Sequence, residues 1–327
     1  MKETGSGNLT TISHILLLRF GNLKELWLPL FTGFLAVYII SMATNLLLVV
    51  LVVLDPHLQT PMYFFLSSLS CLEILSTSNV SPVMLTGLQT GNVMISLGGC
   101  LAQLYRFSAL ATIEYFLLAA MSYDRYLAVC RPLHYPSLMD GRVCGQLVVG
   151  SWVGGFLFMG IVSLSLIPLT FCGPREIDHY FCDFQPLLEL SCTNTSMVQM
   201  VTFFLSFIPA SPFLLTVTSY VCITWAVLRV PSASGRHKAF STCSSHLTVV
   251  TLFYGTLVAM YMSPRDGTGL NPSKALSLLY TVLTPLLNPL VYSLRNQEVS
   301  KACGRVARMV SLGGLCHRTV SISWPTQ

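Results

Sequence analysis

Charge is what this chain has least of. Of its 327 residues, 9% are Asp, Glu, Lys or Arg, against roughly 25% in an ordinary soluble chain. So few charged groups cannot coat soluble domains of this length. The 53% hydrophobic share places the chain among polytopic membrane proteins. Other absences narrow the class further. No basic run or stacking motif accompanies the formal charge of +5, so nucleic acid is not an expected partner. No alternating apolar and polar pattern marks a barrel. No repeated halves with paired broken helices suggest a transporter. No nucleophile–base or metal-ligand grouping rises above chance, so neither an enzyme nor a resident metal is expected. The first 27 residues lack a basic start, a compact apolar stretch and a small-residue cleavage site, which leaves the first apolar segment to act as its own insertion signal.

What the chain does contain is long apolar runs. Seven can be counted, near 28–54, 61–85, 98–123, 145–168, 198–228, 239–262 and 274–294, each around the ~20 residues that a helix needs to cross a bilayer. Inside lipid the backbone must bond to itself, so each is expected to be a helix. The fold class is then an all-α seven-transmembrane bundle over 28–294. An odd number of crossings puts the two ends on opposite sides. Arg125, Arg131, Arg142, Arg229, Arg236, Lys238, Arg295, Lys301, Arg305, Arg308 and Arg318 gather on one side, which the positive-inside rule makes cytoplasmic. Residues 1–27 are then extracellular and 295–327 cytoplasmic. Asn8-Leu9-Thr10 is an expected glycan acceptor, and Asn194-Thr195-Ser196 is a second outer sequon, whereas Asn79-Val80-Ser81 falls inside a span.

Cys100, Cys172, Cys182 and Cys192 are expected on the oxidising side, where spacing alone leaves all three pairings open. Cys71, Cys130, Cys144, Cys222, Cys243, Cys303 and Cys316 read as free thiols. Past the seventh run, Val299, Cys303, Val306 and Val310 recur every three or four residues, with Lys301, Arg305 and Arg308 off that stripe. The pattern predicts a short amphipathic helix on the inner membrane surface.

Glu73 and Glu114 fall near mid-membrane, where charge is costly and usually functional. Two close carboxylates cannot both ionise cheaply. Either they share a proton or a cation such as sodium, or they form a protonated hydrogen-bond knot between helices. His246 reads as an interhelical hydrogen bonder. Counting back from Arg125 at about 100° per residue returns Glu114, Ala111 and Phe107 to one face. Phe107, Ser108, Ala111 and Thr112 are therefore pocket candidates, joined by Phe204, Ile208, Tyr254, Leu257, Val258, Tyr261 and Thr281 from other spans. This mostly apolar, aromatic mixture with a few hydroxyls suits small, weakly polar ligands. Arg106 points about 100° away from Phe107 and is expected to reach headgroups or a loop acid, a ligand carboxylate or carbonyl being the alternative.

The most specific stretch is MSYDRYLAVCRPLHY, Met121 to Tyr135. With PMYFFLSSLS (Pro61–Ser70), CGPREIDHYFC (Cys172–Cys182), Ser219-Tyr220, KAFSTCSSHL (Lys238–Leu247) and PLLNPLVYSLRN (Pro285–Asn296), all in order and in the matching topological places, it resembles the odorant receptors of the rhodopsin-like G-protein-coupled class. Within these it is similar to the tetrapod-type (class II) branch associated with volatile, apolar odorants. Thr44-Asn45 stands where the family usually has Gly-Asn, and Glu73 where Asp is commoner. The resemblance implies pairings Cys100–Cys182 and Cys172–Cys192. A disulfide-bonded Cys182 could not ligate a metal, so His179-Tyr180-Phe181-Cys182-Asp183 reads as a structural loop. It further implies a G-protein switch in Asp124, Arg125 and Tyr126, in which Arg125 leaves Asp124 for Tyr220 while Tyr292 moves into the same space. It places Glu73 opposite Glu114, with Asn45 and Asn288 nearby. The implied partners are a small volatile organic ligand, a heterotrimeric stimulatory G protein that raises cyclic AMP, membrane lipid and trafficking chaperones. The implied location is the plasma membrane, in cilia of olfactory sensory neurons.

Overall fold

The protein is described by a computed structural model over residues 12–18, 26–172, 175–262, 272–294 and 297–311. Among these, seven long helical stretches form one bundle: α1 Trp27–Leu54, α2 Pro61–Thr90, α3 Leu97–Cys130, α4 Gly141–Leu166, α5 Ser196–Leu228, α6 Ala233–Met262 and α7 over 272–294. A further helix, α8, runs Gln297–Ser311. By length and composition alone, α1, α3, α4 and α5 suffice to cross a membrane. α6 and α7 carry shorter apolar stretches, Cys243–Ala259 and Leu276–Val291.

The bundle has its polarity reversed relative to a soluble protein. Leu157 is 65% exposed, Val221 62% and Leu46 57%, whereas Asn45, Glu73, Glu114, Asp124 and Asn288 are each 3% or less. Apolar side chains facing outward and polar ones facing inward fit a hydrocarbon surround. α3 is the strut of the arrangement. Buried residues run along it from Cys100 to Leu127, and it packs against α2, α4, α5 and α6. It also continues past the predicted end at 123, so Asp124 and Arg125 lie on the helix rather than after it.

Glycine permits one close approach. A Cβ on Gly155 of α4 would meet Ile113 Cγ1 at 2.4 Å and the Ala109 carbonyl oxygen at 3.1 Å. Overpacking of this kind costs about 1–3 kcal/mol. Gly155→Val is therefore expected to lower surface receptor several-fold, read by surface labelling, while Gly150→Val, with open space at its Cβ, leaves it unchanged.

α5 is interrupted at Ser206, between Ser196–Leu205 and Phe207–Leu228. Pro209 explains the break: its missing N–H cannot bond the Leu205 carbonyl four residues back, and the Ser206 hydroxyl instead donates to the Phe203 carbonyl at 2.6 Å. α7 holds a π-helical turn, Leu279–Leu283.

At one end of the bundle lies a small sheet with no counterpart in the sequence reading. Its strand order is β2–β1–β3: β1 (His14–Leu17) is central, antiparallel to β2 (Val93–Ser96) and parallel to β3 (Glu176–Ile177). Ile15 and Leu17 of β1 are buried with Cys100, Leu187 and Val198.

At the opposite end α8 does not lie free. Val299 and Ala302 are buried in the main core, and Cys303 and Val306 pack against it. Arg305, expected off the packed stripe, instead reaches Asp55 at the end of α1, with Nη2 and Nε at 2.7 and 2.8 Å from Oδ2. Burial alone would push the Asp55 carboxyl up, yet hydrogen bonds from the His57 amide and the Arg305 guanidinium hold it below the ordinary carboxylate value. Asn8, Arg295, Cys316 and Arg318, and the side chains of Lys238, Tyr261, Tyr292, Arg308 and Val310, lie outside the described residues.

Candidate functional site

Mid-bundle, Glu73, Ser76, Phe107, Glu114, Tyr280, Thr281 and Pro285 surround a narrow cavity with room for about one water molecule. Asn288 Nδ2 donates to Glu73 Oε1, and the Tyr280 hydroxyl donates to Glu114 Oε2 at 3.5 Å. Asn45 Nδ2 bridges the Ser41 and Pro285 carbonyls, each at 3.0 Å. Glu114 Oε1, Asn45 Oδ1 and Asn288 Oδ1 are buried oxygens with no hydrogen-bond partner. Glu73 and Glu114 thus share one cavity and Asn288 is bonded to Glu73, while Asn45 is tied to the Pro285 carbonyl at the cavity wall rather than to either carboxylate.

The pocket list fares unevenly. Phe107 and Thr281 line the cavity, Phe107 packing edge-on to Tyr280 at 5.8 Å. Thr112 is buried, its hydroxyl bonded to the Ser108 carbonyl at 2.8 Å, and Ser108 and Ala111 are half-buried beside it. Tyr254 and Leu257 pack against the main core, with Tyr254 4.8 Å from Phe213. Phe204, Ile208 and Val258 correct the expectation. They are 63%, 43% and 57% exposed and face away from the bundle. All three have the apolar character that a lipid-facing surface also selects. Arg106 is exposed, and its Nε donates to Asn79 Oδ1 on α2 at 3.1 Å.

Ser76, Tyr280 and Pro285 were missed. In a straight α-helix Tyr280 would stand about 80° from Asn288. The wider π turn takes up roughly one extra residue and brings both onto the carboxylate face. Only the polarity of a phenol within an apolar run hinted at Tyr280.

Above the cavity a loop lies folded against the bundle. Cys100 pairs with Cys182 and Cys172 with Cys192, with Cα atoms 5.4 and 5.8 Å apart. The Tyr180 hydroxyl is 2.9 Å from Thr281 Oγ1, Gln103 Oε1 accepts the Cys182 amide at 3.0 Å, and Lys274 of α7 pairs with Asp178. His179 is 3% exposed, packed 4.5 Å from Phe181, with both ring nitrogens unpartnered. Burial, with Lys274 nearby, lowers its pKa from 6.5 to about 3. Because the folded value is depressed, the unfolded loop takes the proton first. The loop keeps its full stability above about pH 6.5 and loses it as pH falls, by about 2 kcal/mol at pH 5. Acidifying the medium on this side to pH 5 is expected to weaken ligand response in the wild type but not in His179→Phe. An equal acid loss in the variant would place the cause elsewhere.

At the opposite end Asp124 is fully buried. It accepts Arg125 Nε at 2.9 Å and the Tyr135 hydroxyl at 2.8 Å. Burial, then the Asp124 charge, raises the Tyr135 pKa, so Tyr135 stays a neutral donor. Tyr220 bonds His246 Nδ1 at 2.5 Å, which gives His246 the interhelical partner expected of it. Tyr126 stacks with Tyr123. Tyr135, quoted as part of a motif but given no role, is the third member of the Asp124 knot.

A bundle that seals two carboxylates beneath a disulfide-tied cap and keeps an arginine clasped at its far end has the anatomy of a seven-transmembrane receptor. The sequence profile described as olfactory receptor matches residues 34–311. Olfactory receptor 6N1 of Homo sapiens is 44% identical over 94% of this chain and 99% of its own length, and olfactory receptor 11A1 of Homo sapiens is 47% identical over 94% and 97%. Olfactory receptor 5B21 of Mus musculus is 44% identical over 93% and 95%. The chain belongs to the olfactory receptor family, whose members are G-protein-coupled membrane receptors and not enzymes.

Proposed function

We propose that this receptor binds small volatile organic molecules from outside the cell and acts through a stimulatory G protein to raise cyclic AMP. The supporting observation is the cavity under Phe107 and Thr281, whose walls mix aromatic and hydroxyl groups around a sealed polar floor. Its narrowness means that a ligand must displace Phe107 or Tyr280, and this couples occupancy to α3 and α7. A ligand acts only through its differential affinity for two states. Moving the population from 1:99 to 99:1 takes about 5.5 kcal/mol, so weak apolar contacts give partial shifts.

At the far end, Arg125 leaves Asp124 and the Tyr220–His246 contact opens, exposing a G-protein surface. The basic excess there supports a cytoplasmic placement, with the amino-terminal segment, Asn8 included, outside. Plasma-membrane residence in sensory cilia, with trafficking helpers and lipid as partners, completes the reading.

The unpartnered oxygens of Glu114, Asn45 and Asn288 fit a shared proton or a sodium ion, which would relieve the repulsion within the carboxylate pair. If sodium is held there, raising external sodium lowers agonist potency in the wild type and not in Glu114→Gln. A sodium response unchanged in that variant overturns the cation. The main test is a volatile-compound screen with cyclic AMP readout in transfected cells. Ligand-driven current without G protein would instead indicate a channel.

A further inference from the structure

Outside the carboxylate cavity lies a second one. Val83, Met84 and Leu88 of α2, Leu17 and Leu18 at the end of β1, and Tyr180 of the loop form its walls, with Gly87 and Val93 at the edge. Among these side chains the one polar atom is the Tyr180 hydroxyl, and it is bonded to Thr281 Oγ1 at 2.9 Å. Thr281 in turn lines the inner cavity. Tyr180, Phe181 and Met84 share a cluster with Phe107, which also lines the inner cavity. A single phenol therefore forms a wall of the outer space and is latched to a wall of the inner one.

We infer that the outer cavity is a staging site for a small, uncharged, apolar molecule, and that Tyr180 is the gate through which it reaches the inner cavity. A wall without an available hydrogen-bonding side chain favours hydrocarbon over any polar ligand. As it stands the space has room for about one water molecule, so a larger molecule enters only as its walls yield, and two of them can. Met84 has an unbranched, adaptable side chain, and Leu18 sits where β1 ends. The gate is coupled to the outer wall through the backbone: Leu16 pairs with Glu176 and Leu17 with Ile177, and the Leu18 amide donates to the Ile177 carbonyl at 2.9 Å, three residues before Tyr180. A molecule that presses on β1 from inside thus presses on the loop that holds the latch.

The passage from staging to inner cavity rests on the small-ligand reading above; the outer site does not. The probe is a six-carbon aliphatic diazirine, photolysed on the full-length receptor in lipid nanodiscs and mapped by peptide mass spectrometry. Adducts on Met84, Leu88 or Tyr180 that excess unlabelled hexane suppresses are expected. Adducts confined to lipid-facing residues, or not suppressible, overturn the site whatever becomes of odorant signalling. Leu18→Trp is expected to cut the Met84 adduct about tenfold, ~1.4 kcal/mol. Met84→Phe, read at Leu88, replaces it if the tryptophan variant fails to reach the membrane folded. For the gate, Tyr180→Phe removes the latch to Thr281, so labelling of Phe107 should reach the same final level several-fold faster. An unchanged half-time in Tyr180→Phe, with the outer adducts intact, overturns the gate and leaves an outer site alone.

Discussion

Arg125→Ala is expected to cut the agonist-driven cyclic AMP response by about tenfold or more, ~1.4 kcal/mol of lost coupling, while ligand affinity stays within about threefold. The reason is positional. Arg125 is 8% exposed and clasped by Asp124, far from Phe107 and Thr281 along α3 and α7, so its removal touches the output end and not the cavity. Removing one partner also leaves Asp124 with Tyr135 as its remaining side-chain donor, and stranding a buried charge is destabilising by about 3 kcal/mol. Surface receptor must therefore be measured in parallel. Asp124→Asn tests the clasp from the other side: it leaves the buried Arg125 guanidinium without its counter-charge, and signalling without ligand should rise at matched surface level. Full signalling in Arg125→Ala at matched surface level would remove Arg125 from the switch.

The second large effect is expected from Cys100→Ser. This bridge joins residues 82 apart, and in a chain-entropy account such a closure is worth about 4.5 kcal/mol. Helices held in a membrane are already constrained when unpacked, so the figure is an upper bound. The consequence still exceeds that of Cys192→Ser, whose bridge spans 20 residues. Cys182 also carries the amide that Gln103 holds and follows Tyr180, which bonds Thr281, so the first bridge secures the roof of the cavity. Surface receptor is expected to collapse in Cys100→Ser and to fall only part-way in Cys192→Ser. Equal losses in the two would show that the roof does not depend on the first bridge.

Much of this molecule was legible because a bilayer imposes coarse rules. Length and hydropathy located the spans within several residues, and Glu73 and Glu114 announced a polar core simply by being carboxylates in apolar helices. What was hidden depended on local departures from regularity. The π turn brings Tyr280 onto the carboxylate face, which a constant 100° per residue does not anticipate, and Phe204 and Ile208 face outward although their apolar character suits a pocket as well as lipid. β1 was hidden for a different reason. His14–Leu17 is four residues long, and its partners lie in two loops far away in sequence, so no local period could mark it. Arg305 shows the same limit, because its partner Asp55 is 250 positions away.

That last contact closes the bundle into a ring, with α8 fastened to the exit of α1. A ring can be cut once and still hold its shape. Two separately expressed fragments, divided in the connection between α5 and α6, should therefore reassemble, the later one finding the earlier through Asp55.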